Sequence, residues 1–159
     1  MNIAPFHFGI IALLVGLLID QVSKWWIIDV MMLEPRVIFV TNFFNLVIVT
    51  NHGISFGLFS NFGESIRWVL IGFAVSLSIF LFIWLIRTKV QHVALALGMI
   101  ISGAIGNVID RVRIGAVIDF LDFHAFGWHW PTFNVADSAI TIGVLILMYN
   151  SLRFEHTGR

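Results

Sequence analysis

The stretch WPTFNVADSAITIGVLILMYN, running from Trp130 to Asn150, decides what kind of protein this chain makes. Beyond Asp137 it is apolar enough for a membrane-spanning helix, yet it opens with a carboxylate. An ionised Asp at the edge of hydrocarbon costs on the order of 3 kcal/mol, so Asp137 needs a reason to be there. One reason is local. Asn134 and Asp137 have the spacing of a helix cap, with Asn134 accepting from the first turn and Asp137 at the positive end of the helix dipole. A cap does not explain why Ser138 and Thr141 continue the polar stripe.

The rest of the chain fits a membrane setting. Of its 159 residues 59% are apolar and only 11% charged, far from the balance of a soluble globular domain. Mean hydropathy is +0.97. There is no cysteine, which removes disulfides, thiolate metal sites and a cysteine nucleophile. The formal net charge of +0 offers no electrostatic footprint for nucleic acid. The N-terminus lacks a basic leader and a small-residue cleavage site, so it reads as a retained first span. Without repeats or linkers, residues 1–159 form one integral membrane domain in this reading.

A bilayer core of roughly 30 Å needs about 20 apolar residues per helix, and windows at about 8–28, 66–86, 90–110 and 133–152 meet that length. The fold class expected is mainly α, a four-helix transmembrane bundle. RTKVQ joins spans 2 and 3 tightly, so the two long connections share one side of the membrane. In the first of these, VIFVTNFFNLVIVTN followed by HGISFG has the β-branched and aromatic content of short strands with a glycine turn, which predicts a small extramembrane sheet. Orientation stays open on charge. Arg87, Lys89, Arg153 and Arg159 on the terminal side balance Lys24, Arg36, Arg67, Arg111 and Arg113 on the loop side. Span 2 carries no charge between Trp68 and Ile86 and is expected to face lipid, leaving spans 1, 3 and 4 around a polar site.

The candidate site residues gather near the long connections. Asp20 and Lys24 stand at i, i+4, the favourable order for a helical ion pair. Gly98, Ser102 and Gly106 make a small-residue face for close helix approach. Asn107, Asp110 and Arg111 share the adjoining face, with Arg111 expected to neutralise a neighbouring carboxylate. After the turn at Gly115, Asp119 and Asp122 follow in AVIDFLDF, and Asp119 between Ile118 and Phe120 suggests burial at the membrane surface. His52, His124 and His129 are competent metal ligands, but no HExxH appears and no metal is assigned. Connectivity brings Asp119 and Asp137 to the same mouth of the bundle. Two close carboxylates would share one proton, one acting as base on a water while the other protonates a carbonyl oxygen. A proton-relaying transporter subunit is the rival reading, but it calls for inverted repeats or broken paired helices, which are not visible.

Taken in order, DQVSK at 20–24, NHGISFG at 51–57, SGAIGNVIDR at 102–111, AVIDF at 116–120 and FNVADS at 133–138 closely resemble the bacterial lipoprotein signal peptidases, or signal peptidase II. The resemblance implies a membrane aspartic endopeptidase that removes signal peptides from diacylglyceryl-modified prolipoproteins, cutting on the N-terminal side of the lipidated cysteine. It implies Asp119 and Asp137 as the catalytic pair, although Asp110 is an acid of the same pattern. Asp20, Lys24, Asn51, Gly53, Asn107, Asp110, Arg111, Asn134 and Ala136 are implied as supporting or substrate-binding residues. No cofactor or metal is implied. The expected partners are prolipoproteins and membrane lipids, with the protein acting as a monomer. The expected location is the bacterial inner membrane, with cytoplasmic termini and a site open to the outer face. Ser102 departs from the pattern, standing where the family often has a glycine.

Overall fold

Pro5 opens the first helix, α1 (Pro5–Trp26), at a position where a missing N–H costs no helical hydrogen bond. The computed structural model describes residues 4–32, 34, 37–53 and 63–157. One π-helical turn, Ile27–Met31, continues α1 beyond the expected end, so the whole span covers Pro5–Met31. A first hairpin follows, with β1 (Ile38–Thr41) and β2 (Phe44–Asn51), and then α2 (Gly63–Arg87). Only residues 88–90 separate α2 from α3 (Gln91–Ile114), as the short connection required. Gly115, with φ of 84°, ends α3 in the left-handed conformation that favours glycine. The chain then forms β3 (Val117–Ala125), β4 (Trp128–His129) and α4 (Val135–Thr157). Among the described residues, four helices are long and apolar enough to cross a membrane.

The expected sheet exists, but half of it comes from the other long connection. Its order is β1-β2-β3-β4, with every neighbouring pair antiparallel. AVIDFLDF is therefore largely strand. On a strand an odd spacing sends two side chains to opposite faces, so Asp119 and Asp122 do not share a surface. An irregularity in the β2–β3 register between Leu46 and Val49 lets Val49 oppose Asp119 while Asn45 opposes Asp122. The glycine turn expected over HGISFG lies, from Ile54 onward, outside the described residues.

Helix α3 is the axis of the bundle. Two-thirds of its apolar window (67%) is buried, against 11% to 17% for the other spans. Lipid exposure is therefore common to α1, α2 and α4 rather than special to span 2. Leu81 and Leu85 of α2 pack with Val93, Leu97 and Ile101 of α3, while Val69, Phe73, Ile79 and Phe80 point outward. The small-residue face does what its spacing promised. A Cβ on Gly98 would lie 2.1 Å from the Gly9 carbonyl oxygen, and one on Gly106 would lie 2.4 Å from Asp20 Oδ2. Ser102 is accommodated because α1 presents Gly16 to it, where a Cβ would fall 2.5 Å from Ser102 Oγ. This contact presses Asp20 and Lys24 of α1 against the polar end of α3.

Candidate active site

A backbone bridge assembles the site. Phe120 and Leu121 both donate to the Phe133 carbonyl oxygen, at 3.0 and 2.8 Å, and Phe133 donates back to Leu121 at 3.2 Å. These bonds fasten the residue before Asn134 onto β3, so α4 begins beside Asp119. Asn134 is fully buried and joins both acids. Its Nδ2 donates to Asp119 Oδ1 at 2.7 Å and to the Ile118 carbonyl at 3.2 Å. Its Oδ1 accepts from the Asp137 N–H at 2.9 Å, and its own N–H donates to Asp137 Oδ2 at 3.3 Å. The last two bonds form a reciprocal capping box, with Asp in the role more often taken by Glu. Asp137 therefore caps α4, as its spacing suggested, while its Oδ1 accepts from Asn107 Nδ2 at 2.9 Å.

Asp119 is buried, and its Oδ2 accepts from Asn51 Nδ2 at 3.1 Å. Burial and then the charge of Asp137 push its carboxyl up to about 6, against the hydrogen bonds from Asn51 and Asn134 and the charge of Lys24. Asn51 also shapes the end of β2, its Oδ1 accepting from the Gly53 N–H at 3.1 Å in an Asx turn. Arg111 grips that turn, with Nη2 donating to the Gly53 carbonyl at 2.8 Å.

Beneath the acids lies a buried ionic cluster. Lys24 Nζ sits 2.9 Å from Asp20 Oδ2, 2.7 Å from Asp110 Oδ2 and 3.2 Å from Asn107 Oδ1. Asp20 Oδ1 accepts from the Ala136 N–H at 2.9 Å, satisfying a first-turn donor of α4. Asp110 also accepts from the Ile118 N–H at 3.3 Å, so it ties the end of α3 to β3. Arg111 lies within electrostatic reach of Asp137, Asp110 and Asp119, in keeping with its expected role beside the acids. Asp110 is paired directly with Lys24, because α1 lies against that side of α3, while Arg111 also reaches the β2 turn. Gln21 was not anticipated, although it sits inside DQVSK. It donates to Asp20 Oδ2 at 3.1 Å and to Asp110 Oδ1 at 3.2 Å, bridging the two acids that Lys24 also joins.

Asp122 belongs to a separate cluster. It pairs with His129 Nδ1 at 2.8 Å and accepts from Asn45 Nδ2 at 3.0 Å, and the His129 ring stacks on His124. Burial works to raise its carboxyl, and the bonds from His129 and Asn45 outweigh this and hold it below the usual carboxylate range. These residues clamp the β3–β4 hairpin. No group of three or more acidic or histidine side chains fit to hold a metal ion occurs among the described residues.

A groove of about 440 Å³ opens beside Asp137, between α4 and a wall made by Trp130, Pro131, Thr132 and Phe133. Ser138, Thr141 and Ile142 form its other side, which gives the polar stripe of α4 a place in the site. The arrangement joins two carboxylates linked through Asn134 and a groove walled largely by apolar side chains.

The same architecture occurs in known proteins. Two solved structures, each described as a bacterial membrane enzyme determined by the in meso method, superpose with TM-scores of 0.79 and 0.75. The first, at 2.3 Å resolution, is 28% identical and covers 95% of this chain and 91% of its own. The second, at 1.9 Å, is 29% identical and covers 91% and 92%. A lipoprotein signal peptidase of Methylorubrum extorquens is 44% identical over 151 residues, which is 93% of this chain and 87% of that protein. One from Burkholderia multivorans is 45% identical over 141 residues, covering 88% and 84%. The family model described as Signal peptidase (SPase) II matches residues 11–153. With its fold, its motifs and these relatives in agreement, the chain belongs to the signal peptidase II family and is a multi-pass membrane peptidase.

Proposed function

We propose that the protein removes signal peptides from diacylglyceryl-modified prolipoproteins by an aspartic mechanism, with Asp119 and Asp137 as the catalytic pair. The observation that carries this reading is the position of Asn134, which hydrogen bonds both carboxylates at once. Asp110, the other acid considered, is committed to Lys24 and Gln21 instead. The two acids share one proton and titrate as a pair, burial and the charge of Asp137 having raised the Asp119 carboxyl to about 6, and Asp119 is assigned as the proton donor. Ionised Asp137 takes a proton from a water as the water oxygen adds to the scissile carbonyl carbon. Asp119 gives its proton to the carbonyl oxygen, forming a neutral gem-diol. The diol then collapses: the proton on Asp137 passes to the leaving nitrogen, the C–N bond breaks, and a hydroxyl proton of the diol returns to Asp119 as the new carboxyl forms.

The remaining polar residues position this pair. Asn107 and the ionic cluster below it fix Asp137, and Asn51 fixes Asp119. In this reading the substrate enters laterally, its signal segment lies against the sheet, and its acyl chains rest on apolar helix faces. The termini lie in the cytoplasm, the site faces the outer side of the inner membrane, and the protein acts as a monomer.

The direct test is gel-shift cleavage of a purified prolipoprotein in detergent with EDTA, with and without the diacylglyceryl group. Cleavage should persist with chelator and should fall sharply when the lipid is absent. Equal cleavage of both forms would rule out lipid as a recognition element, and sensitivity to EDTA would rule out the metal-free mechanism.

The shared proton predicts a pH dependence. Above about pH 6 the proton leaves Asp119, both acids are ionised, and kcat/KM should decline as pH rises. Asn51 donates to the carboxylate and so favours its ionised form. Asn51→Ala should therefore raise the Asp119 pKa further and move the falling limb to higher pH. A limb that stays in place, or moves lower, would show that Asp119 does not carry that proton.

A further inference from the structure

From the end of β3 through β4 to the start of α4 the chain reads FHAFGWHWPTF, Phe123 to Phe133, with five aromatic rings besides two histidines and no Lys, Arg, Asp or Glu. The β3–β4 turn is made by Phe126 and Gly127, with φ of 53° and 79°. Both are left-handed, a pair of conformations that Asn-Gly or Asp-Gly adopts most readily. A phenylalanine there costs roughly 1–2 kcal/mol in backbone strain. It recovers nothing from the protein, because Phe126 is fully exposed. Trp128 and Trp130 are largely exposed as well. The hairpin is nonetheless well braced. The Trp130 N–H donates to the Phe123 carbonyl at 2.8 Å, and the His129–Asp122 pair and the stacked His124 ring tie its two strands together.

We propose that this hairpin is an interfacial anchor whose tip, Phe126 and Trp128, lies among the headgroups and upper acyl chains of the bilayer. The level of the hairpin favours lipid as the occupant. Trp130 lines the same groove as Ile142, which stands roughly 10 Å into the apolar span that α4 begins at Val135, taking 1.5 Å per residue. The base of the hairpin therefore lies beside the first turns of a membrane-spanning helix, and its aromatic surface continues one that lipid already covers. Exposed tryptophans with no charge among them are also what the boundary of a bilayer selects. A second copy of the chain fits less well. Three rings bury about 150–250 Å² each, short of the roughly 1,200 Å² of a stable interface. Water fits worst, since it would leave both the turn strain and the exposed rings uncompensated. Because Trp130 also walls the groove beside Asp137, an anchored hairpin fixes that wall relative to the bilayer.

Trp128 is its own reporter. In proteoliposomes, the emission lost on Trp128→Phe isolates its signal from that of the other tryptophans. That signal is expected to be blue-shifted from tryptophan in water, to lose about half its intensity to phospholipids brominated near the headgroup, and to lose less to phospholipids brominated near the chain ends. Phe126→Trp, at a position with no neighbour to crowd, adds a second reporter whose extra emission should respond in the same order. Trp84, exposed on the spanning helix α2, supplies the control, since the emission lost on Trp84→Phe should also be quenched by brominated lipid. Quenching of the Trp84 signal without quenching of both tip signals would overturn the proposal, placing the tip in water or against another protein surface. Stronger quenching of the tip from the chain ends than from near the headgroup would overturn it too. Neither result depends on peptidase activity, so the catalytic reading and this one fail separately.

Discussion

Asp119→Asn and Asp137→Asn are each expected to lower turnover of a lipid-modified prolipoprotein by at least about 10²-fold, the low end of what positioned acid–base catalysis contributes. An amide neither accepts the proton of the attacking water nor protonates the carbonyl oxygen. Each substitution nevertheless fits the space. Both oxygens of Asp119 accept from asparagine amides, and those of Asp137 accept from Asn107 Nδ2 and the Asn134 N–H. An asparagine in either place turns one acceptor into a donor that faces another donor, which costs about 1–3 kcal/mol, while one buried charge is removed. The folded proteins should therefore persist with substrate binding intact. Gel-shift cleavage beside thermal unfolding in detergent separates the two effects, and full activity of either variant would exclude that residue from the pair.

Lys24→Met should act in the opposite order, on stability first. The ammonium faces Asp20 Oδ2, Asp110 Oδ2 and Asn107 Oδ1 in a buried setting. Its removal leaves two carboxylates without their counterion, a class of change that costs about 3–5 kcal/mol. Activity should fall with stability, because the same cluster holds Ala136 at the start of α4 and supports Asn107 beneath Asp137. Adding Asp110→Asn should recover part of the stability by removing one of the stranded charges, which a double-mutant comparison of unfolding midpoints would reveal. A Lys24→Met protein as stable as wild type would mean that the cluster contributes no net stabilisation.

The four spans were legible because bilayer thickness sets a length that composition alone can meet, and the Gly98, Ser102 and Gly106 face was legible because contact between helices depends on side-chain size. The capping geometry of Asn134 and Asp137 was legible because it is local. The pairing of β2 with β3 was not, since it joins residues nearly 70 positions apart, as in the Asn51 to Asp119 hydrogen bond. The partner of Asp110 was hidden for a similar reason. Spacing along one helix put Arg111 beside it, whereas the packing of α1 brought Lys24 nearer, and nothing within SGAIGNVIDR encodes that approach. Gln21 escaped notice because its two acceptors become neighbours only when α1 and α3 meet.

The hydrogen bond from the Ala136 N–H to Asp20 Oδ1 spans 116 positions of sequence. A chain emerging from the ribosome makes Asp20 long before Ala136 exists. Until α4 arrives, Asp119 lacks Asn134, Asp137 is absent, and the groove has only one wall. A partly synthesised molecule thus contains most of the bundle but no cutting apparatus. Under the proposed catalytic pair, peptidase activity therefore requires the insertion of the last helix.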